Sequence, residues 1–331
     1  METSWYPATL RRLRAGAQIR ELTASVRLSE KQFIQPVFVE DGLRKPRAVE
    51  GLQGIAVQTT GSLPGYIEEA LQQGISSFLF FPVPASGRNS TFDFSFASAT
   101  LQGLKKRFGT DVWIAADCCL CSYTDHGHCG ILNETGTALL NNASVEKFSH
   151  YATLLAQAGA DCIAPSDMMD GRIAAIRTRL DALGMDMVSI MSYAAKFSSQ
   201  FYGPFRDACH SAPRGQALQN RKTYQISPFH PEDALASAAR DAAEGADILM
   251  VKPAALYTDI IAKLQATTQK PVAAYHVSGE YAAIEYMAAQ GLLERDKAHL
   301  EVWAALQRSG ARMIISYAAT EAKKWISQLN Y

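Results

Sequence analysis

The chain has 331 residues, 48% apolar and 19% charged, enough to bury the core of one large α/β domain. Its 32 Lys and Arg balance 32 Asp and Glu, which argues against nucleic acid or an anionic membrane as the main partner. No apolar run approaches the roughly 20 residues a membrane helix needs.

Residues 1–32 carry Arg11, Arg12, Arg14, Arg20 and Arg27 but no apolar core of the secretory type. They read as an extended arm before the first core strand. An organellar transit peptide is the alternative, and Glu2, Glu21 and Glu30 speak against it. A cytoplasmic chain is expected. Apolar runs then predict strands at 33–39, 77–83, 112–117, 161–166, 187–193, 247–253, 271–277 and 312–317. They are nearly continuous rather than alternating, as strands buried on both faces are.

The segments between them read as amphipathic helices. Across 145–158, Val145, Phe148, Ala152, Leu155 and Ala156 share one face, and "AGAD" leads into the next strand. The same glycine-containing entry recurs in "EGAD" and "SGAR". Eight strands alternating with helices predict a (β/α)8 TIM barrel over 33–331, with 1–32 as its extended N-terminal arm. A doubly wound open sheet is the runner-up, but no G-x-G-x-x-G follows the first strand. The longest irregular stretches are 40–62, 84–97, 118–143 and 197–229.

Such a barrel works at the C-terminal ends of its strands. Those ends carry Asp117, Ser166 with Asp167, Tyr193, Lys252, His276 with Ser278, and Tyr317. Lys252 closes the apolar run "DILMVKP", where desolvation would free its amine to attack a carbonyl. Lys196 is expected a few residues past the fifth strand, within reach of the same cavity, and two ammonium groups there would disfavour each other's charge. Cys119, Cys121 and Cys129 have C-x-C-x7-C spacing after the third strand and suit zinc. The spacing fits a closed structural site completed by a histidine as well as a catalytic site with an open fourth position. His126, His128 or water would complete the shell. Arg206, Arg214, Arg221 and Lys222 lie in a long segment that is a candidate lid with carboxylate clamps.

Six stretches in this order, "DCCLCSYTDHGHCG", "APSDMMDGR", "SYAAKFSSQFYGPFRDA", "RKTYQ", "GADILMVKPA" and "YHVSGEY", resemble the porphobilinogen synthase (5-aminolevulinate dehydratase) family from about residue 33 onward. The resemblance implies a homo-octamer that joins two molecules of 5-aminolevulinate into porphobilinogen, losing two waters, in tetrapyrrole synthesis. It implies that Lys252 forms a Schiff base with the propionate-side substrate and that Lys196 holds the acetate-side one. Cys119, Cys121 and Cys129 match the ligands of a catalytic zinc. Arg206, Arg221 and Gln225 match the acetate-side carboxylate contacts, and Ser278 and Tyr317 the propionate-side pair. Asp117 and Ser166 are counted with the substrate contacts.

The chain departs from the family pattern in places. Ser237 stands where many relatives have an acidic residue for an allosteric magnesium, so no such site is expected. "CHSAPRGQALQN" is slightly longer than usual, and Pro82 stands where glycine is commoner. None of these is expected to touch the catalytic groups. The arm matches the one by which family members embrace a neighbouring subunit. Two rivals are a class I aldolase, which leaves the cysteines and second lysine idle, and a zinc-stabilised interaction protein, which leaves the lysines idle.

Overall fold

The computed structural model describes residues 10–84, 92–213 and 218–329. The eight apolar runs are parallel strands: Phe33–Glu40, Ser77–Val83, Trp113–Cys118, Cys162–Pro165, Ser189–Lys196, Ile248–Lys252, Val272–His276 and Met313–Ser316. Each pairs with the next in sequence, and the first closes on the eighth through Phe33 opposite Ile314 and Ile34 opposite Ile315. Closure rules out the open sheet and produces the expected (β/α)8 barrel.

The predicted helix at 145–158 spans Asn141–Gln157 and buries Phe148, Ala152, Leu155 and Ala156. Its exit explains the repeated glycine. Gly159, Gly245 and Gly310 all have φ near +100°, a conformation that suits a residue without Cβ. The amides of Ala160, Ala246 and Ala311 then bond back to Leu155, Asp241 and Leu306 carbonyls at 3.1, 2.9 and 3.2 Å. These Schellman-type ends stop each helix and turn the chain into the next strand. Among the described residues, no helix is long and apolar enough to cross a membrane.

Three details differ from the sequence reading. The stretch 40–62 holds two short strands, Arg47–Ala48 and Ala56–Gln58, and the latter lies beside the end of the first strand through Phe38 and Val57. The stretch 197–229 contains the helix Gly203–Ala208. The fifth strand does not end at 193 but runs to Lys196, so this lysine sits in the strand rather than past it. Between Ser192 and Ala195 its register against the sixth strand slips by one residue. Such an insertion leaves no periodic signature in a wholly buried run.

In the arm, Ala17–Thr23 is a helix with no buried residue. Part of 84–97 (85–91) and Arg214 lie outside the described residues.

Candidate active site

The register slip sets Lys196 directly opposite Lys252 in the neighbouring strand, and both side chains line one cavity at the barrel mouth. Lys252 is 4% exposed, and its Nζ lies 4.1 Å from the Tyr275 ring centre and 4.5 Å from that of Phe205. Burial, with Lys196 as the second cause, lowers its pKa to about 7, against the opposing pull of Asp117. Near neutrality it therefore carries a large share of free amine. Lys196 Nζ donates a hydrogen bond to the Ser166 carbonyl. Asp117, one residue before the third strand's end, lies in the same cavity, and burial pushes it up to about 6 against Lys196, Ser166 and Lys252.

The cysteine loop follows the third strand directly, which brings its thiols to the same rim. Cys119, Cys121 and Cys129 are buried, and their sulfurs all lie within 4.8 Å of one another, with Cys119 and Cys121 3.2 Å apart. Thiol hydrogen bonds from Cys119 and Cys121 hold Cys129 well below the ordinary cysteine value, in spite of burial. Three converging sulfurs, one of them a ready thiolate, fit a soft divalent metal.

Neither histidine of the motif joins this cluster. His128 is engaged at both ring nitrogens, with the Tyr224 hydroxyl at 3.1 Å and the Leu218 carbonyl at 2.6 Å. His126 Nδ1 accepts the His128 amide at 3.0 Å. Cys119 and Cys121, by contrast, line the cavity that holds both lysines.

Arg206 and Arg221 line it too. Arg221 donates to the Gly127 and Ser211 carbonyls at 2.9 and 2.6 Å, pinning the cysteine loop to the segment above it. Gly127 permits that closeness, since a Cβ there would lie 2.5 Å from the Ala212 carbonyl oxygen. Among the described residues, the buried Nε atoms of Arg206 and Arg221 have no hydrogen-bond partner. Lys222 is exposed and faces a neighbouring groove, away from the lysine cavity.

The cavity thus gathers Asp117, Cys119, Cys121, Ser166, Lys196, Arg206, Arg221 and Lys252. It does not gather all the residues singled out from sequence. Gln225 is buried in the wall of the groove beside Lys222, with its amide nitrogen unpartnered. Ser278 Oγ accepts the Phe205 amide at 3.2 Å and donates to the Phe201 carbonyl at 3.3 Å, holding the segment around the helix Gly203–Ala208 against the seventh strand's end. Tyr317 stands behind Tyr275, the two hydroxyls 3.2 Å apart. His276 is wholly buried, with neither ring nitrogen bonded, and burial pushes its pKa down to about 3.

Other residues around Lys252 had no signal in the sequence. Tyr202, Phe205 and Tyr275 surround Lys252 with aromatic rings, and Cys209 lines the cavity as a further buried thiol. Tyr202, Phe205 and Cys209 fall within eight residues and Tyr275 in the seventh strand, but nothing in their spacing marks them as neighbours of Lys252. One expectation needs correction: the departures from the family pattern were expected to stand clear of the chemistry, yet Pro82 lines this cavity, and so does Cys209, the first residue of "CHSAPRGQALQN".

Against known proteins, residues 8–325 match the family model described as delta-aminolevulinic acid dehydratase. The enzyme of that name from Streptomyces coelicolor is 39% identical over 95% of this chain and 96% of its own length. The one from Escherichia coli K12 is 39% identical over 94% and 95%. The crystal structure of delta-aminolevulinic acid dehydratase (porphobilinogen synthase) from Toxoplasma gondii ME49, in complex with the reaction product porphobilinogen, superposes with a TM-score of 0.91. It shares 36% identity and covers 97% of this chain and 92% of that one.

Proposed function

The chain belongs to the delta-aminolevulinic acid dehydratase family of lyases, the porphobilinogen synthases, and on that premise we propose that it joins two 5-aminolevulinate molecules into porphobilinogen with loss of two waters. The observation that carries the mechanism is the placement of Lys196 opposite Lys252 in one cavity with a three-thiol cluster.

The free amine of Lys252 attacks the ketone of the propionate-side substrate, and water leaves as the Schiff base forms. The Lys252 iminium makes that carbon electrophilic. A second imine at Lys196 acidifies the carbon next to the acetate-side carbonyl, which loses a proton, attacks the Lys252-bound carbon and is left bearing an acetate side chain. Both lysine amines depart as the ring closes. Lys196 holds the acetate-side substrate at the Ser166 end of the cavity. With its pKa near 6, Asp117 is placed to take and return protons between the two lysines. The unpartnered Nε atoms of Arg206 and Arg221, both in the cavity lining, suit the acetate-side carboxylate. Gln225, Ser278 and Tyr317 lie outside that lining, and their roles as acetate-side and propionate-side contacts rest on the family resemblance. The two sets of clamps would hold identical molecules in different poses.

Cys119, Cys121 and Cys129 would hold zinc, which supplies a Lewis acid for the second substrate's carbonyl or amino group. No histidine reaches the cluster, which supports an open fourth position facing the lysines rather than a closed staple. Ser237 offers only a hydroxyl, bonded by Arg240 at 3.4 Å, so we propose no allosteric magnesium there.

The exposed arm helix supports an assembly in which residues 1–32 embrace a neighbour, a homo-octamer. All six cysteines are free, which suits the reducing cytoplasm.

The test is porphobilinogen formation by purified protein, with zinc stripped and then restored. Product that disappears with the metal and returns with it is expected. Product that survives verified stripping reduces the metal to a structural part. No product from folded, zinc-loaded protein overturns the reading in favour of an aldolase acting on another ketone.

A further inference from the structure

Arg172 opens the helix Arg172–Ala182 yet is fully buried, in a place the cavity does not reach. Its guanidinium joins three elements. Nη1 donates to the Met169 carbonyl at 3.1 Å, in the turn that follows Ser166. Nη2 donates to Ser192 Oγ at 3.1 Å and to Asp241 at 2.9 Å, and Ser192 Oγ donates to the same Asp241 oxygen at 2.5 Å. Asp167 lies 3.6 Å from Nε and accepts the Met169 amide at 2.6 Å. Met168 between them has φ +78°, a conformation a side-chain-bearing residue holds only when its surroundings fix it.

Ser192 is the residue after which the fifth strand slips register, and Ser166 is the residue whose carbonyl receives Lys196. The clamp therefore grips both structures that meet at the Lys196 amine, without touching the cavity itself. We propose that Arg172, acting with Ser192 and Asp241, is a positioning residue for Lys196, locking the register slip and the 166–169 turn together so that the second amine stands beside Lys252. This inference rests on the two-lysine reading above. A misplacement of about 1 Å in a bound reactant costs on the order of a hundredfold in rate, which sets the scale of the effect.

Replacing Arg172 by Ala strands Asp167 and Asp241 as buried carboxylates and can prevent folding, so the decisive variant is Ser192→Ala. It keeps the Arg172–Asp241 pair and loosens only the grip on the slip. Two readouts are taken on folded zinc-loaded protein. The first is kcat and KM for 5-aminolevulinate. The second is the ratio of borohydride-trapped 5-aminolevulinate at Lys196 to that at Lys252, read from peptide masses.

The expected result is a fall in kcat of about tenfold to a hundredfold with KM within about twofold, and a trapping ratio at least about fivefold lower. An unchanged kcat, an unchanged ratio, or equal loss of trapping at both lysines overturns the positioning role. Native protein that traps at Lys252 alone overturns the reading of Lys196, and one that traps at neither overturns the two-lysine reading as a whole. Both results precede any measurement on the variant and take this inference down with them.

Discussion

Lys196 and Lys252 stand opposite each other across the fifth and sixth strands because the fifth carries one residue more than its neighbour. Ser192 faces Leu249, and an unbroken register would set Ala195 opposite Lys252. Lys196 would then point to the other face of the sheet. With the slip, Ala195 faces Val251 and Lys196 faces Lys252, on strands about 4.8 Å apart. Two amines that close in a buried wall cannot both keep their charge easily.

Lys252→Met should abolish porphobilinogen formation, by about a thousandfold or more, while the protein folds. The same variant should melt at a higher temperature at neutral pH. The native lysine pKa is depressed to about 7, so below that value folding must bury a charge. The penalty shrinks as pH rises from about 7 toward the unfolded value near 10.5, where both states are neutral. The gain in melting temperature should therefore fade with rising pH, as calorimetry can show. Turnover near the native level in Lys252→Met ends its assignment as the nucleophile.

Trapping of 5-aminolevulinate at Lys252 should rise with pH through about 7 and then level off, because only the free amine attacks. Lys196 is among the causes that lower this value, so Lys196→Met should move the limb to higher pH. Asp117 acts in the other direction, and Asp117→Asn should move it lower. Peptide mass spectrometry across a pH series reads all three. A limb that stays fixed in both variants would leave burial as the sole cause.

Cys121→Ala should lower bound zinc per chain and turnover together, the latter by about tenfold to a hundredfold. Elemental analysis alongside the activity assay decides the matter. Full turnover in a verified zinc-free variant would return the loop to a purely structural part.

The proposed substrate contact of Ser278 has to be separated from a structural one, since its hydroxyl already ties down the 201–205 segment through Phe205 and Phe201. Ser278→Ala should raise KM by about tenfold and lower unfolding free energy by about 1 kcal/mol. An unchanged KM beside the stability loss would make it a structural tie to the 201–205 segment and not a substrate contact.

Deleting residues 1–32 should lower the mass seen by sedimentation from that of an octamer to a smaller assembly. An octamer that persists without them assigns the assembly to the barrel surfaces instead.

Much of this was written locally in the chain. Eight apolar runs and the glycines that end their helices specify a barrel, because burial on both faces and left-handed helix exits are properties of short segments. Lys252 at the end of "ILMVK" and three cysteines in eleven residues are local too, and so were readable. The aromatic rings around Lys252 were not, since Tyr202 and Phe205, just after the fifth strand, meet Lys252 and Tyr275 only on closure.

The sequence by itself determined the fold, the identity of the two lysines and the thiol set, because each depends on residue type at short range. Only the tertiary structure decided which groups share a cavity. It set Lys196 in the strand by a one-residue slip, engaged His128 with Tyr224 and Leu218, placed Ser278 and Tyr317 behind the cavity wall, and brought Pro82 to its lining. These are matters of register and long-range approach. A buried strand with no polar alternation carries no mark of where its register slips, and a hydrogen bond between residues ninety positions apart exists only once the barrel has closed.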